Sequence, residues 1–61
     1  MTLAEEMVRY RAVHKLSQGD FAELCGINIM TVNHVERGLQ SPTPLTEAKI
    51  RLVIENKQED K

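Results

Sequence analysis

The segment from Gln18 to Val35, QGDFAELCGINIMTVNHV, places a small residue at Ala22, a glycine at Gly26 and β-branched residues at Val32 and Val35. This spacing predicts two short helices packed across a tight turn. Ala22 must be small for the helices to cross closely. Gly26 accepts the positive φ that stops the first helix. Val32 and Val35 anchor the second helix to the first, with Cys25 and Ile27 apolar around the glycine. With that face turned inward, the opposite side of 28–37 is left bare.

The rest of the chain reads as helices on either side of this pair. Thr2 predicts an N-cap, and Glu5 three residues on completes a capping box. Leu3, Met7, Tyr10 and His14 recur at helical steps up to Lys15, where a cation suits the C-terminal dipole. Leu16 is expected to pack inward. Ser17 caps the next helix with Asp20 as the acidic partner, and Phe21, Ala22 and Cys25 form its buried stripe. Gly19 in that first turn costs about 1 kcal/mol relative to alanine. Asn28 caps the third helix and Gly38 ends it. The loop from Leu39 to Pro44 holds Ser41-Pro42 and Thr43-Pro44, the latter an N-cap and N1 pair. A fourth helix then runs to Asn56, burying Leu45, Ile50, Val53 and Ile54. A strand at Ala48–Leu52 is the rival, since those residues alternate. The helix is preferred because its caps are good and no partner strand is evident. These signals give one domain over 1–56 and a polar tail over 57–61.

Sixty-one residues with one cysteine allow a single small core and no internal disulfide. A chain this short buries only about 60% of its unfolded surface, so association with a second copy is expected. Cys25 reads as a small buried hydrophobe rather than a reactive thiol. No run of 18 apolar residues is present, so no membrane span is expected. Glu5 and Glu6 stand where a secretory signal would be basic, which points to the cytoplasm. The net charge is −1, whereas nucleic-acid binders are commonly basic. The charges are unevenly placed, however. Gly26 to Val35 holds no acidic residue, and the next acid after Glu36 is Glu47.

Leu16-Ser17-Gln18, Phe21-Ala22, Gly26-Ile27-Asn28, Val32, Val35-Glu36-Arg37-Gly38 and Pro42 together resemble the Cro/repressor (XRE-type) helix-turn-helix family of small phage and bacterial regulators. The resemblance extends over residues 3 to 54. It implies an all-α, lambda-repressor-like bundle of four or five helices, whose third helix enters the major groove of double-stranded DNA. Four helices are expected here. It also implies a structural pair between Arg11 and Glu36, which a planar guanidinium can hold by two bonds. The alternative is that both are solvated.

The same resemblance sets Ser17 and Gln18, at the start of the second helix, against the DNA backbone or a base edge. Main-chain N–H groups there attract phosphate without a cation. Asn28, Ile29, Met30, Thr31, Asn33 and His34 fall on the reading helix. Ile29 and Met30 depart from the polar residues usual in the family. They suit thymine methyl groups, Asn33 suits adenine, His34 suits guanine and Thr31 suits a phosphate. Arg37, Gln40 and Ser41 follow as backbone contacts. Against this, His34 reads equally as an ordinary surface histidine, Arg37 as a solvated charge, and Ile29-Met30 as a protein-binding patch. No metal spacing links His14, Cys25 and His34, and no cofactor or small-molecule substrate is expected. No nucleophile–base pairing suggests an enzyme. Leu39, Leu52 and the outer side of the fourth helix are the candidate homodimer contacts, with Leu24 a weaker one. The resulting expectation is a sequence-specific repressor. The alternative is a protein-interaction module on the same fold, such as an antitoxin-like or anti-regulator subunit.

Overall fold

A computed structural model describes residues 2–55, and among them the chain is entirely helical: α1 (Leu3–His14), α2 (Gln18–Cys25), α3 (Ile29–Glu36) and α4 (Pro44–Glu55). The predicted caps form. Thr2 Oγ1 accepts from the Glu5 N–H while Glu5 returns a bond to the Thr2 N–H. Ser17 and Asp20 make the same reciprocal pair at α2. Asn28 Oδ1 accepts from the Met30 N–H at 2.7 Å, and Thr43 Oγ1 accepts from the Thr46 N–H at α4. Each bond satisfies a donor that a helix start leaves without a partner. Ala48–Leu52 is helical, so the strand reading fails. The expected last helical residue, Asn56, and the tail 57–61 lie outside the described residues.

α1, α2 and α3 end the same way. A residue with positive φ follows the helix (Lys15 at 56°, Gly26 at 71°, Gly38 at 74°). The next N–H then reaches back five residues: Leu16 to the Arg11 carbonyl, Ile27 to Ala22 and Leu39 to His34. These are Schellman closures, in which the residue after the left-handed one turns an apolar side chain back on the helix. Leu16 and Ile27 do so and pack on the core, whereas Leu39 stays exposed. Lys15 is the only non-glycine with positive φ among the described residues. A Cβ in that conformation is strained by about 1 kcal/mol. Lys15→Gly is therefore expected to raise stability by up to about 1 kcal/mol despite the loss of a cation from the helix end. Thermal melting followed by circular dichroism checks this, and a lower midpoint contradicts it.

Met7, Phe21, Ala22, Cys25, Val32, Val35 and Ile50 form the core, with Leu3, Tyr10, Leu16, Ile27, Val53 and Ile54 packed around it. α3 packs on α1 and α2, and α4 packs on the same two helices. Tyr10 lies tilted against Phe21, with ring centroids 5.7 Å apart. Burial pushes the Cys25 thiol up to about 11. It is therefore neutral at physiological pH and behaves as a core residue.

One sequence expectation fails. Leu45 is 68% exposed rather than buried. It precedes Ile50 by five residues, which on an α-helix is about 140° round from the buried line. His14 is exposed. Its ring stacks on Tyr10 at 4.2 Å instead of joining the core. Gly19 is not demanded by packing, since an added Cβ would make ordinary contact with Ile29 Cδ1 at 3.5 Å.

Candidate nucleic-acid interface

Val32 and Val35 turn one side of α3 into the core. Met30 consequently emerges on the opposite side and Ile29 on the flank toward the start of α2, 57% and 47% exposed. Asn33 follows Ile29 by four residues and Met30 by three, so the three share a face. Thr31, Asn33 and His34 are partly exposed, and Asn28 and Arg37 stand open at the two ends of the helix. Arg37 forms no ion pair among the described residues.

Behind this face lies a polar cluster. Arg11 Nε and Nη2 donate to Glu36 Oε2 and Oε1 at 2.8 and 2.9 Å. Arg11 Nη1 donates to the Leu16 carbonyl at 3.2 Å. One guanidinium therefore ties α1, the α1–α2 turn and α3 together. Its hydrogen bonds to Glu36 raise the Arg11 pKa above the ordinary arginine value, against an opposing effect of burial. Gln18 Nε2 donates to Glu36 Oε1 at 3.0 Å, and Asn33 Nδ2 donates to Gln18 Oε1 at 3.3 Å. The start of α2 is thereby fixed to the middle of α3.

Ser17 Oγ is engaged as the cap of α2, and Asn28 Oδ1 as the cap of α3. Their remaining polar valence faces solvent. His34 Nδ1 lies 3.3 Å from Gln40 Oε1, which links α3 to the loop that follows. Neither the Gln18–Asn33 bond nor the His34–Gln40 bond was foreseen from sequence. The first joins residues fifteen positions apart, a separation to which no helical spacing rule applies.

Elsewhere, Arg51 gathers Glu6, Glu47 and Glu55 within 3.5 Å along the α1–α4 seam. These partly exposed pairs contribute little stability. Among the described residues, one shallow groove is lined by Glu6, Arg9, Tyr10, Val13 and Ile54 and another by Ala4, Glu5, Val8, Arg9 and Glu36. Neither includes Cys25 or a histidine. No group of three metal-ligating side chains occurs among the described residues. No helix among them is long and apolar enough to cross a membrane.

The geometry is that of two helices across a glycine turn, the second presenting an open face. A family model described as helix-turn-helix matches residues 9–50, which contain both helices and the turn. The chain belongs to the Cro/XRE family of helix-turn-helix regulators. Membership makes it a DNA-binding regulator in general terms. The matched span begins just before Arg11 and ends at Ile50, so it takes in the polar cluster and every core residue except Met7. No curated protein and no solved structure gives a significant match.

Proposed function

We propose that this chain is a sequence-specific transcriptional repressor of the cytoplasm, occupying an operator as a homodimer and reading the major groove with the helix capped by Asn28 and closed by Arg37. The observation that carries this reading is the division of α3, whose Val32 side is buried while Ile29 and Met30 project outward. Ile29 and Met30 pack on thymine methyls, and Asn33 and His34 approach base edges. Thr31, Arg37, Gln40 and Ser41 serve phosphates, as do Ser17 and the main-chain N–H of Gln18 at the start of α2. A dimer sets two such helices roughly 34 Å apart in successive major grooves. Leu39 and Leu52 are exposed apolar residues available to that contact. With few cations on the reading face, salt dependence is shallow and a monomer binds weakly. Domain 1–56 carries these contacts, and 57–61 is a polar extension.

Selection of bound sequences from random DNA tests the proposal. A symmetric pair of half-sites supports it. A folded protein that enriches no sequence overturns it. That outcome would favour a protein-interaction module instead, a reading that the apolar Ile29-Met30 pair and the net charge of −1 support.

Variants separate the two faces of α3. Met30→Ala and His34→Ala are expected to weaken binding to the selected site with nearly unchanged melting temperature. Val35→Ala costs about 1–2 kcal/mol of folding stability. Anisotropy titration and thermal melting of the three proteins check this, and equal binding by all three contradicts the assignment.

A further inference from the structure

The turn after α3 brings a side chain back beside the reading helix. Gly38 takes the left-handed conformation at φ 74°, and the Leu39 N–H closes on the His34 carbonyl at 2.9 Å. The chain is thereby folded back on the end of α3. Gln40 comes to lie beside His34, six positions earlier, with its Oε1 3.3 Å from the ring Nδ1. His34 follows Met30 by four residues and precedes Arg37 by three, so it belongs to the open side of the helix.

An amide oxygen offers only lone pairs. The ring nitrogen that meets it must therefore carry the hydrogen. A neutral imidazole has one ring proton, and the hydrogen bond made by one nitrogen sets what the other presents. With Nδ1–H spent on Gln40, Nε2 is left as a bare acceptor. In the major groove guanine shows two acceptors, N7 and O6, so such a nitrogen finds no hydrogen there. Adenine sets its N7 acceptor next to the N6 amino group, whereas cytosine shows the N4 amino group with no acceptor beside it on the same base. Cytosine is the match.

We propose that Gln40 is a positioning residue that holds His34 in its Nδ1–H form, so that His34 reads the amino group of a cytosine and rejects guanine. This rests on the DNA-reading function proposed above and adds one base together with the contact that selects it. The Gln40 amide nitrogen takes no part in that contact, which leaves it for a phosphate.

Two measurements test this, both at about pH 8, where an ordinary histidine is neutral. The first uses the free protein. A long-range 1H–15N spectrum of the imidazole rings separates a protonated ring nitrogen from a bare one. His34 is expected to show a protonated Nδ1 and a bare Nε2, and Gln40→Ala to move the proton toward Nε2. A wild-type ring protonated on Nε2, as a reversed Gln40 amide would give, overturns the proposal whether or not DNA is bound. A Gln40→Ala ring identical to the wild type does the same. The second profiles base preference on random DNA with the wild type, His34→Ala and Gln40→Ala. The wild type is expected to favour cytosine over guanine at one position of each half-site by about 3- to 10-fold, the scale of one neutral hydrogen bond. His34→Ala removes that preference alone, and Gln40→Ala shifts it toward guanine at the same position. If His34→Ala leaves the profile intact, or Gln40→Ala lowers only the overall affinity, the proposal is wrong although the protein still reads DNA. If the folded wild type selects no site, the broader function fails, and cytosine reading fails with it.

Discussion

Arg11→Ala is expected to remove about 3 kcal/mol of folding stability, at the low end of the range for breaking a buried ion pair. The loss exceeds that of an ordinary surface salt bridge because Glu36 is nearly inaccessible to water. Without Arg11, its carboxylate keeps the Gln18 hydrogen bond but no cation. The Leu16 carbonyl also loses a donor, which loosens the α1–α2 turn. Glu36→Gln should be milder, since it leaves a neutral group facing Arg11. Arg11→Met combined with Glu36→Met should be less destabilised than the sum of its single changes, because neither charge is then stranded. Urea unfolding of the wild type, Arg11→Met, Glu36→Met and the double variant gives the coupling directly. Additive losses would show that the two side chains act separately. The effect should change little between low and moderate salt, as burial shields the pair from counterions.

Phe21→Ala is expected to cost about 3–5 kcal/mol, the usual range for truncating a buried phenylalanine. Phe21 is the only phenylalanine in the chain and is fully buried. It lies among core residues contributed by all four helices and packs against the Tyr10 ring. The whole domain, at roughly 0.05–0.15 kcal/mol per residue, has about 3–9 kcal/mol in total. Phe21→Ala should therefore leave much or all of the chain unfolded at 37 °C, with helical circular dichroism lost. Phe21→Leu retains most of the apolar volume and should stay folded. A cooperative melt for Phe21→Ala near the wild-type midpoint would show that the core closes over the missing ring.

The local elements were legible because each carries its own chemistry. Thr2, Ser17, Asn28 and Thr43 hold the oxygens that helix starts need. Gly26 and Gly38 supply the conformation that helix ends need. Phe21, Ala22, Cys25, Val32 and Val35 recur at the helical period. Leu45 departs from the expected core because it stands about 140° round the helix from Ile50. Lys15 suits the helix dipole, and its backbone also takes the left-handed conformation with no glycine to announce it. The Arg11–Glu36 contact entered through family resemblance, since no periodicity connects positions on separate helices.

By itself the sequence determined the four helices, their starts, the ends of the first three and most of the buried line on each, because caps, turn residues and helical periodicity act over a few neighbouring positions. It likewise marked Ile29 and Met30 as outward, as the complement of Val32 and Val35. Only the tertiary structure decided that Gln18 lies between Glu36 and Asn33, and hence which way the Asn33 amide points. Hydrogen-bond direction depends on three-dimensional distance to a fixed charge, and residues brought together from α1, α2 and α3 carry no mark of that distance in the order of the chain.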